Sequence, residues 1–322
     1  MEFDLIDAIR ARVNIARDDV ALGIGDDAAL TDLAPGRQLV ACTDTLVAGV
    51  HFPDSTAPED VGWKSLAVNL SDLAAMGATP AWALLALTVP DADARFIESF
   101  AAGFAALARA HDVALIGGDT TQGPLSITVT ALGTVPAGEA LTRAGARVGD
   151  AVFVTGTLGD AAGALRVSLP PHAGKGAGDG WEPLLGRLNR PEPRVAAGLA
   201  LRGIANACID VSDGLLADLG HTCVASGVRA EVDVDALPLS SSLTATFDTA
   251  TCSELALAGG DDYELCFTVA DAREAEMQAA LARQGCEATR IGRIVAGSGV
   301  CVLDARGDEV AAPRSGWEHF SQ

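Results

Sequence analysis

Residues 113–123 read Val113-Ala114-Leu115-Ile116-Gly117-Gly118-Asp119-Thr120-Thr121-Gln122-Gly123. A short apolar run stops at two glycines and an aspartate, the pattern of a buried strand (113–117) that gives way to a polar turn. The same pattern recurs on either side. Residues 125–135 read as a further strand, 91–110 as a long helix and 82–89 as a buried strand. Residues 58–76 read as a helix: Pro58 and Glu59 suit its first turn, Gly77 its C-terminal cap, and Trp63, Leu66, Leu70 and Leu73 line one face. Residues 38–43 read as a strand that ends in Asp44-Thr45, and 3–13 as an amphipathic helix rather than a signal peptide.

Apolar density falls between Pro136 and Gly149, which puts a boundary between domains 1–138 and 139–322. The second half predicts strands at 151–155, 207–211, 229–234, 263–269, 289–295 and 299–304, with helices from Asp160 and over 193–202, 214–226 and 271–285. A Gly/Pro/His-rich stretch at 170–181 reads as a surface insertion. No internal repeat is visible. With 49% apolar and 4% aromatic residues, the composition favours alternating strands and helices over an all-β sandwich.

The formal charge of −21, without a basic stripe, excludes a general nucleic-acid binder and disfavours an anionic membrane surface. No uninterrupted apolar run has the length of a membrane span. Seven cysteines without a CxxC pair suit a reducing compartment, so the expected location is the cytoplasm. Motif classes fall away in turn. There is no GxxxxGK[ST], GxSxG, HExxH or HRD. Gly23-x-Gly25-x-x-Ala28 loosely fits a dinucleotide fingerprint, but Asp32, Pro35 and Gly36 follow where a helix should continue.

Five segments share one property: GIGDDAAL (23–30), CTDTLVAGVHF (42–52), NLSDLAAMG (69–77), IGGDTTQG (116–123) and IDVSDGLLADLG (209–220). Each places Asp at the end of an apolar run beside Gly, Ser or Thr, and none holds Lys or Arg. For any one segment, ordinary turn and cap chemistry is a sufficient reading. Five together, following strands or ending a helix, suggest carboxylates gathered on one side of an α/β sheet. Convergence of Asp27, Asp44, Asp72, Asp119, Asp210 and Asp213 needs an offsetting cation. Hard oxygen donors select Mg²⁺. Several such ions suit phosphoryl transfer between two anionic reactants.

In this order, GIGDDAAL, TDTLVAGVHF, NLSDLAAMGATP, LIGGDTT, LTRAGARVGD, IDVSDGL and GGDDYELCF resemble the thiamine-monophosphate kinases, from about residue 2 to the C-terminus. The resemblance implies the two-domain fold of the aminoimidazole ribonucleotide synthetase group: an N-terminal α/β domain that dimerises and a C-terminal α+β domain, with ATP in the cleft between them. It implies transfer of the ATP γ-phosphoryl to thiamine monophosphate by a homodimer. Because the acceptor phosphate oxygen is already anionic at neutral pH, no catalytic acid or base is expected, only positioning and charge neutralisation. Asp27, Thr43, Asp44, Asp72, Asp119 and Asp210 would bind Mg²⁺, and Asp213 a further ion. Cys42 stands where the family has a Ser ligand, and a thiol offers at most its backbone carbonyl. Gly118, Asp119, Arg143 and Ser212 would contact ATP; His51, Asp261 and Trp317 would contact the substrate. Asp261 replaces a family Glu, and His111 stands near a family Tyr. The rivals are another ATP-using synthetase of this fold group and a non-catalytic Mg²⁺- or nucleotide-binding module.

Overall fold

The computed structural model describes residues 2–13, 15–168 and 181–311. The chain divides into two compact units, one running to Gly138 and one from Glu139, with Ala74–Gly77 grouped with the second.

In the first unit α1 (Glu2–Arg12), β1 (Val20–Leu22) and β2 (Leu30–Thr31) precede β3 (Arg37–Val47), α2 (Pro58–Ala75), β4 (Thr79–Val89), α3 (Ala94–Ala110), β5 (Ala114–Gln122) and β6 (Ser126–Pro136). β1 and β2 form a small ribbon, and the main sheet has the order β3-β6-β4-β5. Helix α3 joins β4 to β5 as a parallel crossover, while β6 pairs antiparallel with both β3 and β4. Strict alternation on β6 buries Ile127, Val129, Ala131 and Val135. Leu66, Leu70 and Leu73 of α2 and Phe100 and Phe104 of α3 are fully buried.

Two strands run further than their sequence implies. Asp44 lies inside β3, opposite Val129, and Gly118–Thr121 lie inside β5, where Asp119 pairs with Ala86. The neighbouring strands supply a hydrogen-bond register that outweighs the local breaker signal of Gly, Asp and Thr. Gly118 makes this possible. Its φ is +155°, and a Cβ there would sit 1.9 Å from the Leu85 carbonyl oxygen.

The second unit contains β7 (Asp150–Thr155), α4 (Asp160–Ser168), α5 (Glu182–Asn189), α6 (Val195–Leu201), β8 (Ala207–Val211), α7 (Leu215–Ser226), β9 (Arg229–Asp233), α8 (Ser241–Thr246), α9 (Thr249–Ala258), β10 (Glu264–Ala270), α10 (Glu274–Ala282), β11 (Ala288–Val295), β12 (Gly299–Leu303) and β13 (Glu309–Val310). Its sheet has the order β13-β12-β9-β11-β7-β10-β8, with β9 and β12 parallel and the other pairs antiparallel. Ile209, Val211, Leu215, Leu219 and Cys266 belong to its main core. Helices α4, α5, α8 and α9 close a smaller core around Leu184, Leu188, Leu243 and Cys252. Helices α5, α8 and α9 are additions to the sequence-based expectation. The insertion read at 170–181 lies, but for Trp181, outside the described residues.

All seven cysteines are free thiols, and five of them are buried. No helix among the described residues is long and apolar enough to cross a membrane.

Candidate active site

In the first unit, β3 and α2 bring three of the expected residues together. The Cys42 thiol donates to the Asn69 carbonyl at 3.3 Å. Burial pushes that thiol far up, reinforced by the negative charges of Asp72 and Asp44. A thiol is in any case a poor ligand for Mg²⁺, which prefers oxygen. Thr43, on the alternate side of β3, donates to the Val129 carbonyl at 3.1 Å.

Asp119 stands apart from this group. Asp44 shares a row of the sheet with Val129, Leu85 and Gly118; Asp119 belongs to the next row, with Ala86, Thr128 and Thr45. Three strand spacings separate β3 from β5, roughly 14 Å. Asp119 is exposed, and its Oδ1 accepts the Thr120 N–H at 2.9 Å. Asp27 occupies the exposed GIGDD loop, where its own N–H donates to Asp26 Oδ1 at 2.8 Å. Ile24 of that loop joins Ile6, Ile9, Leu85 and Leu115 in lining an apolar recess that reaches Gly117, Gly118 and Asp119. The GIGDD loop and the IGGDT strand are therefore neighbours. At the end of β3, the Val47 N–H donates to His51 Nδ1 at 3.0 Å, which fixes that ring nitrogen as an acceptor.

In the second unit β8 delivers Asp210, which is only 4% exposed. The chain then turns through Ser212, Asp213 and Gly214 into α7. Asp218, inside that helix, holds the turn: its Oδ2 accepts the N–H groups of Ser212, Asp213 and Gly214 at 3.0, 3.0 and 3.2 Å. Burial and the nearby charge of Asp210 push the Asp218 carboxyl up to about 7, against the opposing pull of the Asp213 N–H. The other end of α7 holds a second predicted contact. Ser226 Oγ accepts the Gly145 and Ala146 N–H groups, both at 3.1 Å, and donates to the Arg143 carbonyl at 3.2 Å. Arg143 itself is exposed.

The GGDDYE segment docks on the same turn. The Asp261 N–H donates to the Ser212 carbonyl and the Tyr263 N–H to the Val211 carbonyl, both at 2.8 Å. A Cβ on Gly260 would lie 2.6 Å from the Ser212 carbonyl oxygen, so this approach requires glycine. The buried Asp262 carboxylate accepts the Gly159 N–H at 2.9 and 3.0 Å. Glu264, fully buried, receives Arg187 at 2.6 Å, Arg194 twice at 2.7 Å and the Thr155 hydroxyl at 2.6 Å.

Taken unit by unit, the expected residues form local groups: Cys42, Asp44 and Asp72, and the GIGDD loop with Gly118 and Asp119, in the first; and Asp210, Ser212 and Asp213 with Asp261 in the second. Among the described residues no three His, Cys, Asp or Glu side chains form a group able to hold a metal by themselves. Like charges keep apart unless a cation joins them. The donor set still fits Mg²⁺, which is held by one or two carboxylates and completed by water and phosphate oxygens. Trp317 lies outside the described residues. Sequence reading passed over Asp218 and Lys64. Asp218 is legible only as an acid five residues past Asp213. Lys64 is a buried cation on α2 whose Nζ lies 3.4 Å from the His51 carbonyl.

Comparison with known proteins places this geometry. Residues 25–135 match the N-terminal domain of AIR synthase related proteins, and 147–304 match the C-terminal domain. The thiamine-monophosphate kinase of Escherichia coli K12 is 46% identical over 321 residues, covering 99% of this chain and 98% of that protein. The crystal structure of thiamine-monophosphate kinase from Stenotrophomonas maltophilia K279a is 52% identical, covers 96% of this chain and 98% of that one, and superposes with a TM-score of 0.87. AaThiL, solved in complex with AMPPCP and TMP, is 34% identical over 99% of this chain and 97% of its own, with a TM-score of 0.79. Similarity over both domains and nearly the whole length makes this chain a member of the thiamine-monophosphate kinase family.

Proposed function

We propose that the chain transfers the γ-phosphoryl of ATP to the phosphate of thiamine monophosphate, forming thiamine diphosphate and ADP in one in-line step. The observation that carries this reading is the likeness, over 99% of the chain, to a protein solved with AMPPCP and TMP. The bond between Asp261 and Ser212 supports it, because it ties a substrate-side residue to a nucleotide-side one.

Residues suited to Mg²⁺ are Asp27, Thr43, Asp44, Asp72 and Asp119 in the first unit and Asp210 and Asp213 in the second, with Cys42 limited to its backbone carbonyl. When bound, Mg²⁺ neutralises the charge that keeps two phosphate-bearing reactants apart. The chain does the positioning. Gly118 and Asp119 would meet the nucleotide where β5 passes the GIGDD loop. Arg143 presents a guanidinium suited to two phosphate oxygens. Ser212 stands at the turn into α7, where its side chain can meet the nucleotide; the N–H groups of Ser212, Asp213 and Gly214 are already taken by Asp218. His51, Asp261 and Trp317 orient thiamine monophosphate. Its phosphate oxygen, already anionic at neutral pH, attacks the γ-phosphorus while the bond to the bridging oxygen of ADP breaks. No side chain need remove a proton, so the rate comes from orientation and charge neutralisation.

ADP release should require thiamine monophosphate, and chirality analysis at the γ-phosphorus should show inversion. Net retention would exclude the single displacement. Release without the acceptor would favour a different ATP-using enzyme of the fold group. The same reading carries a cytoplasmic homodimer, to be checked by fractionation and light scattering.

A further inference from the structure

The sequence holds one tyrosine, Tyr263. Its φ is +51°, and two residues earlier Asp261 has a φ of +69°. Asp tolerates this left-handed region, but a bulky aromatic there is an outlier that persists only where surrounding contacts fix it. The contacts are present. Val211 and Ser212 receive the Tyr263 and Asp261 N–H groups, Asp262 is held by Gly159, and Arg187 donates to the Asp262 carbonyl at 3.2 Å. The strand beyond is fastened through Glu264 to Arg187, Arg194 and Thr155. This backbone path brings two side chains together: Tyr263, 7% exposed, donates its phenol O–H to Asp261 Oδ1 at 2.9 Å.

We infer that Tyr263 is a positioning residue for the acceptor substrate: its phenol braces the Asp261 carboxylate, which receives a cationic or N–H-bearing part of the substrate and not its phosphate. The inference rests on the reading that Asp261 contacts thiamine monophosphate. Charge decides which part of the substrate it meets. A carboxylate repels phosphate and attracts the thiazolium cation or an aminopyrimidine donor. An aspartate is one methylene shorter than the glutamate the family resemblance leads one to expect, and here it reaches its brace within the same turn. Such a hydrogen bond to a charged group fixes direction as well as strength.

Steady-state kinetics of full-length Tyr263→Phe, Asp261→Asn and the double variant test this. Tyr263→Phe keeps the ring and removes the brace. It should raise KM for thiamine monophosphate about tenfold and leave KM for ATP unchanged. In the Asp261→Asn background the same change should add less than about twofold, because the two residues act as one unit. If Asp261→Asn raises KM for thiamine monophosphate and Tyr263→Phe does not, the inference about Tyr263 is overturned and the reading of Asp261 stands. If Asp261→Asn leaves that KM unchanged, the reading of Asp261 itself fails. Equal rises in both KM values for Tyr263→Phe would show a merely structural role and overturn the positioning assignment.

Discussion

The acidic residues of the first unit and those of the second are held in different ways. Asp27 and Asp119 are exposed, and each shares a hydrogen bond with the residue beside it in the chain. Asp210 is buried, and the turn carrying Ser212 and Asp213 is fastened by three N–H groups on the single Asp218 oxygen. Carboxylates of the first kind reorganise around a ligand at little cost. Those of the second kind are preorganised, and folding has already overcome their desolvation and repulsion. Charge removal in the first unit should therefore affect activity far more than stability, whereas disturbance of the second turn should affect both.

The largest effect falls on the first unit. Asp44→Asn or Asp119→Asn should lower kcat by about 10²–10³-fold or more, while the thermal midpoint moves little in Asp119→Asn, whose carboxylate is exposed. Near-normal turnover in both variants would remove the metal argument. A comparable loss of stability would erase the contrast between the units. Next comes Asp218→Ala, which leaves three backbone donors without their acceptor and should destabilise the second unit by about 2–4 kcal/mol in chemical denaturation. Asp218→Asn keeps an acceptor oxygen and should recover most of that loss; if it does not, charge rather than geometry holds the turn. Gly118→Ala sharpens the contrast from the other side. Its Cβ would meet the Leu85 carbonyl oxygen at 1.9 Å, so β4 and β5 must separate and the first unit should lose about 2 kcal/mol or more.

The smallest effect concerns a charge with no part in the site. Asp19 accepts both Arg17 and the Trp82 indole N–H, and the Arg17 hydrogen bond and charge hold its carboxyl below the usual range. A depressed folded value means stability present above the ordinary carboxylate pKa and lost as pH falls below it. Asp19→Asn should cost under about 1 kcal/mol at neutral pH and nothing once the carboxylate is protonated in acid. Denaturation midpoints at the two pH values check this.

The features legible in the sequence were those with local causes. Apolar runs bounded by turn residues located most strands, and the ordered set of motifs located the family. Residues whose placement depends on a distant partner were not legible. Asp44 and Asp119 look like strand ends in one dimension, and only pairing with β6 and β4 carries the strands past them. Helices α8 and α9 are short and rich in Ser and Thr, poor helix formers, yet their starts had a readable signal: Ser240 and Asp248 cap them by accepting the Leu243 and Thr251 N–H groups. Asp218 belongs to neither class. It sits in a quoted motif, but only the fold shows its carboxylate turned back on three N–H groups. The left-handed conformation of Tyr263 likewise has no sequence signal, since the contacts that hold it come from the distant Val211, Gly159 and Arg187.

The most direct test of the metal-based reading is ADP release across a Mg²⁺ titration, with ATP and thiamine monophosphate both saturating. Turnover should vanish in excess chelator and return as Mg²⁺ is restored, in the wild type but not in Asp44→Asn or Asp119→Asn. A folded wild-type protein that releases ADP at the same rate in excess chelator would contradict the assignment of these carboxylates to Mg²⁺.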